Sequence, residues 1–322
     1  MISNDTKTLL AYSFLKGIGR KFLTEISIAK ENNSSEPLSH IEKRFSETEL
    51  NDAYLKAEDQ ISIAHSFGHN IISRLDESYP DSLRDTIDAP AILFCNGNIN
   101  LLKSQSISII GTREPTSDGL KIAARITSWF SRNGWTITSG LANGVDTIAH
   151  QYCLKSNGYT IAILAHGLEK VYPASNKELA KDIVKKNGLI ISEYRYNSFV
   201  AKSNFVERDR IQAGLSKAVF LVQSDIKGGS LHASRAALNY NRLLIVVGQS
   251  DKDKENNEPK IQANLALLSL NKKIQTDLLK VSSQQTNNII PLMSKDNYES
   301  VNNKIKGVIF NRCNMTINNK LL

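Results

Sequence analysis

Long apolar runs are missing from this sequence. No stretch of its 322 residues approaches the length that crosses a bilayer, about 18 apolar residues. The opening "MISNDTKTLL" has no basic segment followed by an apolar one, so a secretory leader is not expected. Cysteine is scarce. Cys95, Cys153 and Cys313 are odd in number and scattered, which gives neither a disulfide framework nor a zinc spacing. Neither G-x-G-x-x-G nor a G-x-x-x-x-G-K-[ST] loop occurs, so no standard nucleotide motif applies. No cofactor is expected, and the cytoplasm is the expected compartment.

What is present supports a globular fold. Hydrophobic residues make up 41% of the chain and charged residues 22%, enough for one large domain, or one large and one small. The net charge of +8 is unevenly spread. Residues 1–106 hold 11 Lys/Arg against 15 Asp/Glu, or −4, which leaves +12 for the remainder. Segment 195–242 alone has 8 basic residues against 3 acids, or +5. This asymmetry suits a polyanionic partner. A lysine- and asparagine-rich composition accounts for it equally well.

The first ~70 residues read as a small helical domain. In "TLLAYSFLKGIGRKFLTEIS", Leu10, Phe14, Ile18, Phe22 and Ile26 recur every four residues, and "GIG" breaks the run into a hairpin. Such a turn can lie on a nucleic-acid backbone, but packing is the favoured reading. "ENNSSEPLS" (31–39) reads as a loop. Residues 71–104 are turn-rich and end in one short strand near Ala91–Cys95.

From Ile107 short apolar runs alternate with amphipathic stretches: "SISIIG", "WTITSG", "TIAILAHG", "LIISE", "AVFLVQ" and "LLIVVG". The alternation predicts an α/β fold, with a doubly wound, mostly parallel, Rossmann-like sheet over 105–272. "SNKE" at Ser175–Glu178 reads as a capping box. "SDKDKENNEPK" reads as a polar loop and "SSQQTNN" (282–288) as a linker inside a C-terminal appendage, 273–322.

Ligands of such sheets bind beyond the carboxyl ends of the strands. Three strand ends there carry glycine and hydroxyl residues. In "GTREPTSDG", Gly111, Thr112 and Arg113 precede a helix, and such amides and such an arginine can hold a phosphate. In "SGLANGVDTIAH", Gly140 and Gly144 let the chain turn tightly and approach another backbone, Ser139 and Gly140 join the candidate surface, and Asp146 and His150 stand four apart. With no third ligand nearby, a structural role for Asp146 is favoured over a metal. In "SDIKGGSLHASRAALN", Lys227, Gly228, Gly229 and Ser230 again place amides and a cation before a helix. His232 is read as packing.

The stretch "AKSNFVERDRIQAGLSKAVFLVQ" adds Lys202, Phe205, Arg208 and Arg210. A cation and an aromatic beside glycine-lined strand ends suit single-stranded nucleic acid, and Phe205 equally suits a core contact. Residues two apart on a helix point about 200° apart. Arg208 is therefore expected to face the cleft, and Arg210 to pair internally, for example with Glu207. Both stay in the candidate surface.

"SIIGTREPTSDG", "TITSGLANGVDTIAHQYCL", "TIAILAHGLEKVYPASNKELA", "LIISEY", "NFVERDRIQAGLSKAVFLVQ" and "GGSLHASRAALNYNRLLIVVG" together resemble the DNA-processing protein A family, also called DprA or Smf. Order and spacing match that family's Rossmann-like core, and the likeness runs over roughly residues 8–270. The resemblance implies a non-enzymatic, homodimeric protein of natural transformation. Such a protein binds single-stranded DNA, protects it and helps load the RecA recombinase. It also implies a pocket that uses Arg113, Lys202, Phe205 and the Gly228–Ser230 loop. Arg208-Asp209-Arg210 departs from the family's usual Arg-Asn-Arg, and His166 stands where glycine or cysteine is common. "QSDKDKENNEPK" replaces a Gly/Pro/Ser-rich segment, and no C-terminal winged helix is evident.

Two other functions suit this fold: a nucleotide sensor, and an enzyme akin to the nucleoside-monophosphate phosphoribohydrolases. The enzyme needs a carboxylate beside the glycine loop, yet residues 228–250 contain no Asp or Glu. Glu193 or Glu207 would have to supply it.

Overall fold

In the computed structural model of the chain, the described residues are 2–32, 41, 43–269 and 271–310. Most of the loop expected over 31–39, and the tail from 311 onward, lie outside them. Helices α1 (Asn4–Tyr12) and α2 (Arg20–Glu31) form the hairpin around the glycine turn. Gly17 there takes φ +82°, a conformation that L side chains disfavour. Leu9, Leu10, Ile18, Leu23 and Ile26 are buried, so the hairpin is used to pack. Helix α3 (Glu47–Ser66) closes this layer. Its start is fixed by a true capping box between Ser46 and Glu49.

The strands form one nine-stranded sheet in the order β1-β2-β6-β5-β4-β3-β7-β8-β9. At one end β1 (Asn70–Ser73) pairs antiparallel with β2 (Ile92–Gly97), and β2 antiparallel with β6; all other pairings are parallel. The central strand of the seven parallel ones is β3 (Ser106–Ile110). On one side of it lie β4 (Thr136–Ser139), β5 (Thr160–Leu164) and β6 (Leu189–Ser192). On the other lie β7 (Ala218–Leu221), β8 (Leu243–Val247) and β9 (Ile289–Leu292). Strand order thus reverses between β3 and β7, where Ile110 pairs with Leu221. That is where an open parallel sheet leaves a crevice at its carboxyl edge.

Both faces are covered. Helices α4 (Ser117–Arg132) and α5 (Val145–Lys155) cover one face. Ile126, Phe130 and Ala149 there pack on Ile107, Ile109, Ile137 and Phe220. After α6 (Lys177–Lys185), helices α7 (Lys202–Leu215) and α8 (Ser230–Asn239) cover the other face. Ala213, Leu231 and Leu238 there meet Ile110, Val219 and Leu244. Helices α9 (Gln262–Leu268) and α10 (Lys272–Leu279) extend that layer.

Three local expectations change. Residues 282–288, expected as a linker, hold a short 3₁₀ turn that delivers β9 into the sheet beside β8. Helix α11 (Tyr298–Lys306) then packs back on it, with Trp135 Nε1 donating to Asn302 Oδ1 at 2.8 Å. The polar loop 250–260 contains a helical turn, Asp251–Glu255, capped by Ser250. The Ser175 capping box does not form. Asn176 precedes α6, and its Nδ2 instead donates to the Leu141 carbonyl at 2.8 Å and to Thr147 Oγ1 at 2.9 Å.

Candidate functional site

A cavity of about 740 Å³ opens at the β3/β7 crevice. Gly111, Thr112 and Arg113 follow β3 into it, and Lys227, Gly228, Gly229 and Ser230 follow β7. Lys202 and Phe205, from the start of α7, form a third wall. Arg113, Lys202 and Lys227 are exposed, and none forms an ion pair among the described residues. Such cations keep their full attraction for an anion. The exposed rim pair of Lys260 with Glu114, at 3.1 Å, contributes little.

Local chemistry explains the shape. Thr112 N–H donates to the Gln223 carbonyl at 2.8 Å, which anchors the first loop to β7. Gly144 starts α5 at φ +79°, and a Cβ there would sit 2.5 Å from the Thr112 carbonyl oxygen, so only glycine permits this approach. A Cβ on Gly228 would meet Ser224 Oγ at 2.3 Å. Helix α8 begins at Ser230 with no side-chain cap; the Leu231 and His232 amides close onto the Gly228 and Gly229 carbonyls at 3.1 and 3.0 Å, and the helix's positive dipole end faces the cavity.

Phe205 is not a core residue. It is half-buried, edge-on to Tyr172 at 5.8 Å, and carries the Arg113 guanidinium 5.5 Å from its ring centre. A guanidinium charge and an aromatic ring are therefore adjacent.

Arg208 faces the cleft, as helical phase predicts. It lies in the cavity floor but is only 4% exposed, and its Nη1 donates to the Ile163 carbonyl at 2.7 Å. Its guanidinium packs where a Cβ on Gly140 would stand, 1.6 Å from Nη1. Ser139 and Gly140 are likewise buried beneath the floor. Ser139 Oγ donates to the Ile109 carbonyl, and Gly140 N–H to Asp146 Oδ2. Arg208 thus forms the floor of the cleft, and Ser139 and Gly140 support it from beneath. Arg210 points away from it. Its Nη2 donates to Glu193 Oε2 at 2.6 Å, so its internal partner is Glu193, while Glu207 pairs with Arg20. Arg20 also reaches Glu193, which ties the N-terminal hairpin to the sheet.

Asp209 stands in the cleft wall, 3.2 Å from Arg208 Nε and accepting from Gln212 Nε2 at 3.0 Å. Burial pushes its carboxyl up to about 7, against the pull of Arg208 and helped by the charge of Asp146. Asp146 is also raised by burial while it accepts the Gly140 and Ala142 amides. His150 is held neutral, down to about 3, by burial and by Arg208. Its Nδ1 lies 2.7 Å from Thr160 Oγ1, so Asp146 and His150 serve the fold separately. Among the described residues, no group of three His, Cys, Asp or Glu side chains could hold a metal.

A polar network beneath the cleft escaped the sequence reading. Gln223 Nε2 donates to Thr116 Oγ1, Gln249 Oε1 and Asp253 Oδ2, while its Oε1 accepts from Thr116 N–H. Asn264 accepts from Ser224 N–H and donates to the carbonyls of Leu221, Val222 and Val247. The signal was present: strands β7 and β8 run out into Gln223 and Gln249, buried amides that need partners.

Residues 70–280 match the family described as DNA recombination-mediator protein A. The DNA processing protein DprA of Bacillus subtilis is 36% identical over 62% of this chain and 67% of its own length. Several other curated relatives are longer, and less than half of each is matched. Among solved structures, DNA processing protein A of Streptococcus pneumoniae superposes with TM-score 0.68 at 24% identity, over 93% of this chain and 98% of that one. The Helicobacter pylori protein, whose structure is described for its unique single-stranded DNA binding mode, gives TM-score 0.52 at 29% identity. That match covers 66% of this chain and 97% of that one.

Proposed function

The chain belongs to the DNA recombination-mediator protein A family, and from that premise we propose that its cleft binds single-stranded DNA. One observation carries the reading. Three exposed cations that form no ion pair among the described residues, Arg113, Lys202 and Lys227, line one cleft together with the N-terminal dipole end of α8 and the Phe205 ring. The cations and the dipole end hold phosphates, and the ring stacks a base for roughly 1–3 kcal/mol. Gly111, Thr112 and Gly228 to Ser230 shape the cradle, while Arg208, Ser139 and Gly140 hold its floor. By kinship the reading extends to protecting DNA strands in the cytoplasm, loading the RecA recombinase and acting as a homodimer. No helix among the described residues is long and apolar enough to cross a membrane.

Catalysis is not part of this reading. Glu193 and Glu207, the carboxylates that the sequence offered for an enzyme, are engaged by Arg210 and Arg20 outside the cleft lining, whose own carboxylates are Glu114, Asp146, Asp209 and Asp225. The test is a titration with oligo-dT, matched duplex and mononucleotides at two salt concentrations. Oligo-dT is expected to bind with salt sensitivity. Arg113→Ala should weaken it roughly tenfold, about 1.4 kcal/mol, without lowering the unfolding midpoint. Tight mononucleotide binding with no salt-sensitive DNA binding would favour the nucleotide sensor. Recombinase loading is read from RecA filament formation on the bound strand.

A further inference from the structure

A second groove, of about 850 Å³, lies on the opposite helical layer, over α4. Lys121, Arg125, Trp129 and Arg132 recur at steps of four, four and three along its floor, one face of the helix. Lys295 and Tyr298, at the entry to α11, form the facing wall. Arg125, Arg132 and Lys295 are exposed and form no ion pair among the described residues. Lys121 alone has an acid, Asp118 at 2.9 Å, and Asp296 is the one carboxylate lining the groove.

A solvated helix face accounts for the charges, and Trp129 and Tyr298 pack on the apolar core beneath, yet both rings stay partly exposed and line the groove. Trp129, between two arginines, is half-buried and meets Tyr298 edge-on at 5.3 Å. On the neighbouring α5, Lys155 Nζ sits 4.4 Å from the centre of the Tyr152 ring, and Tyr152 also lines the groove. Cations interleaved with accessible rings recur where single strands bind without sequence preference, because every base has a face to stack and every nucleotide a phosphate. A duplex fits this arrangement less well, because its bases are already stacked. Thr112 to Glu114 line the cleft, and α4, whose outer face forms the groove floor, starts three residues later at Ser117.

We propose that the α4 groove is a second single-stranded nucleic-acid subsite, which takes the strand as it leaves the cleft. The proposal rests on the cleft reading above, and strand length separates the two. A short oligo-dT, about six nucleotides, fills the cleft alone, and a long one, about thirty, fills both. The paired charge reversal Arg125→Glu with Lys295→Glu, in the full chain, should lower affinity for the long strand roughly tenfold. It should leave the short strand's affinity and the elution volume unchanged. Trp135 is buried, so the long strand, and not the short one, should quench emission from Trp129, and Trp129→Phe should remove that quench.

The subsite is overturned if the reversed variant binds long strands like wild type, or if short and long strands lose affinity together. It is also overturned if the reversal alters the oligomer and leaves DNA binding intact, which would make the groove a protein interface. Wild-type protein that binds neither length overturns both readings. Loss of short-strand binding in Arg113→Ala tests the cleft alone.

Discussion

Asp209 is the residue on which the cleft's behaviour turns. It shares the wall with Arg113 and Phe205, yet it is an acid where an anion is to bind. Burial raises its carboxyl to about 7, and the charged groups facing it are Arg208, Asp146 and Arg113. Phosphate beside it favours the protonated form further, so binding takes up a proton. Affinity for oligo-dT should therefore fall several-fold from about pH 6 to about pH 8. The sign for stability is the same. A carboxyl raised in the folded state stabilises it fully below the ordinary carboxylate range, and that contribution is lost as pH rises through about 7. Asp209→Asn should bind as tightly at the higher pH as wild type does at the lower, with a flattened profile. An unchanged pH dependence in the variant, read by fluorescence anisotropy, would rule Asp209 out as its source.

At the scale of elements, the turn after β4 and the helix α7 hold each other. Gly140 lacks a Cβ because the Arg208 guanidinium occupies that space, and Arg208 in turn donates to the end of β5 at Ile163. Gly140→Ala must push a buried, paired cation off its partners. It should lower stability by on the order of 3 kcal/mol, read as a shifted midpoint in urea. An unshifted midpoint would show that the guanidinium relocates at no cost. The glycine loops and the strands before them were legible because short apolar runs bounded by Gly, Ser and Thr admit few other structures. Helical phase placed Arg208 toward the cleft, but its burial was not legible, because phase says which way a side chain leaves the helix and not whether solvent or a neighbouring turn waits there. Strand β9 was missed for a simpler reason. "IIPL" is four residues long and contains Pro291, and its pairing with β8 is a tertiary event without a local signature.

At the scale of the whole molecule, the charge asymmetry acquires a place. The acidic first third supplies the helical hairpin and the two antiparallel strands at one end of the sheet. The basic remainder carries both the cleft and the α4 groove. A single strand releases counterions in proportion to the phosphates neutralised, with a slope in log affinity against log salt of about −0.7 per phosphate. Arg113, Lys202 and Lys227 are the cleft's exposed, unpaired cations, so a short oligo-dT should show a slope of about −2. Arg125, Arg132 and Lys295 add to these once the strand reaches the groove, and a long oligo-dT should steepen to about −4. Titrations across a salt series separate the cases, because a polymer that touches only the cleft gains affinity with length but keeps the shallow slope. Equal slopes for both lengths would confine the interface to the β3/β7 crevice.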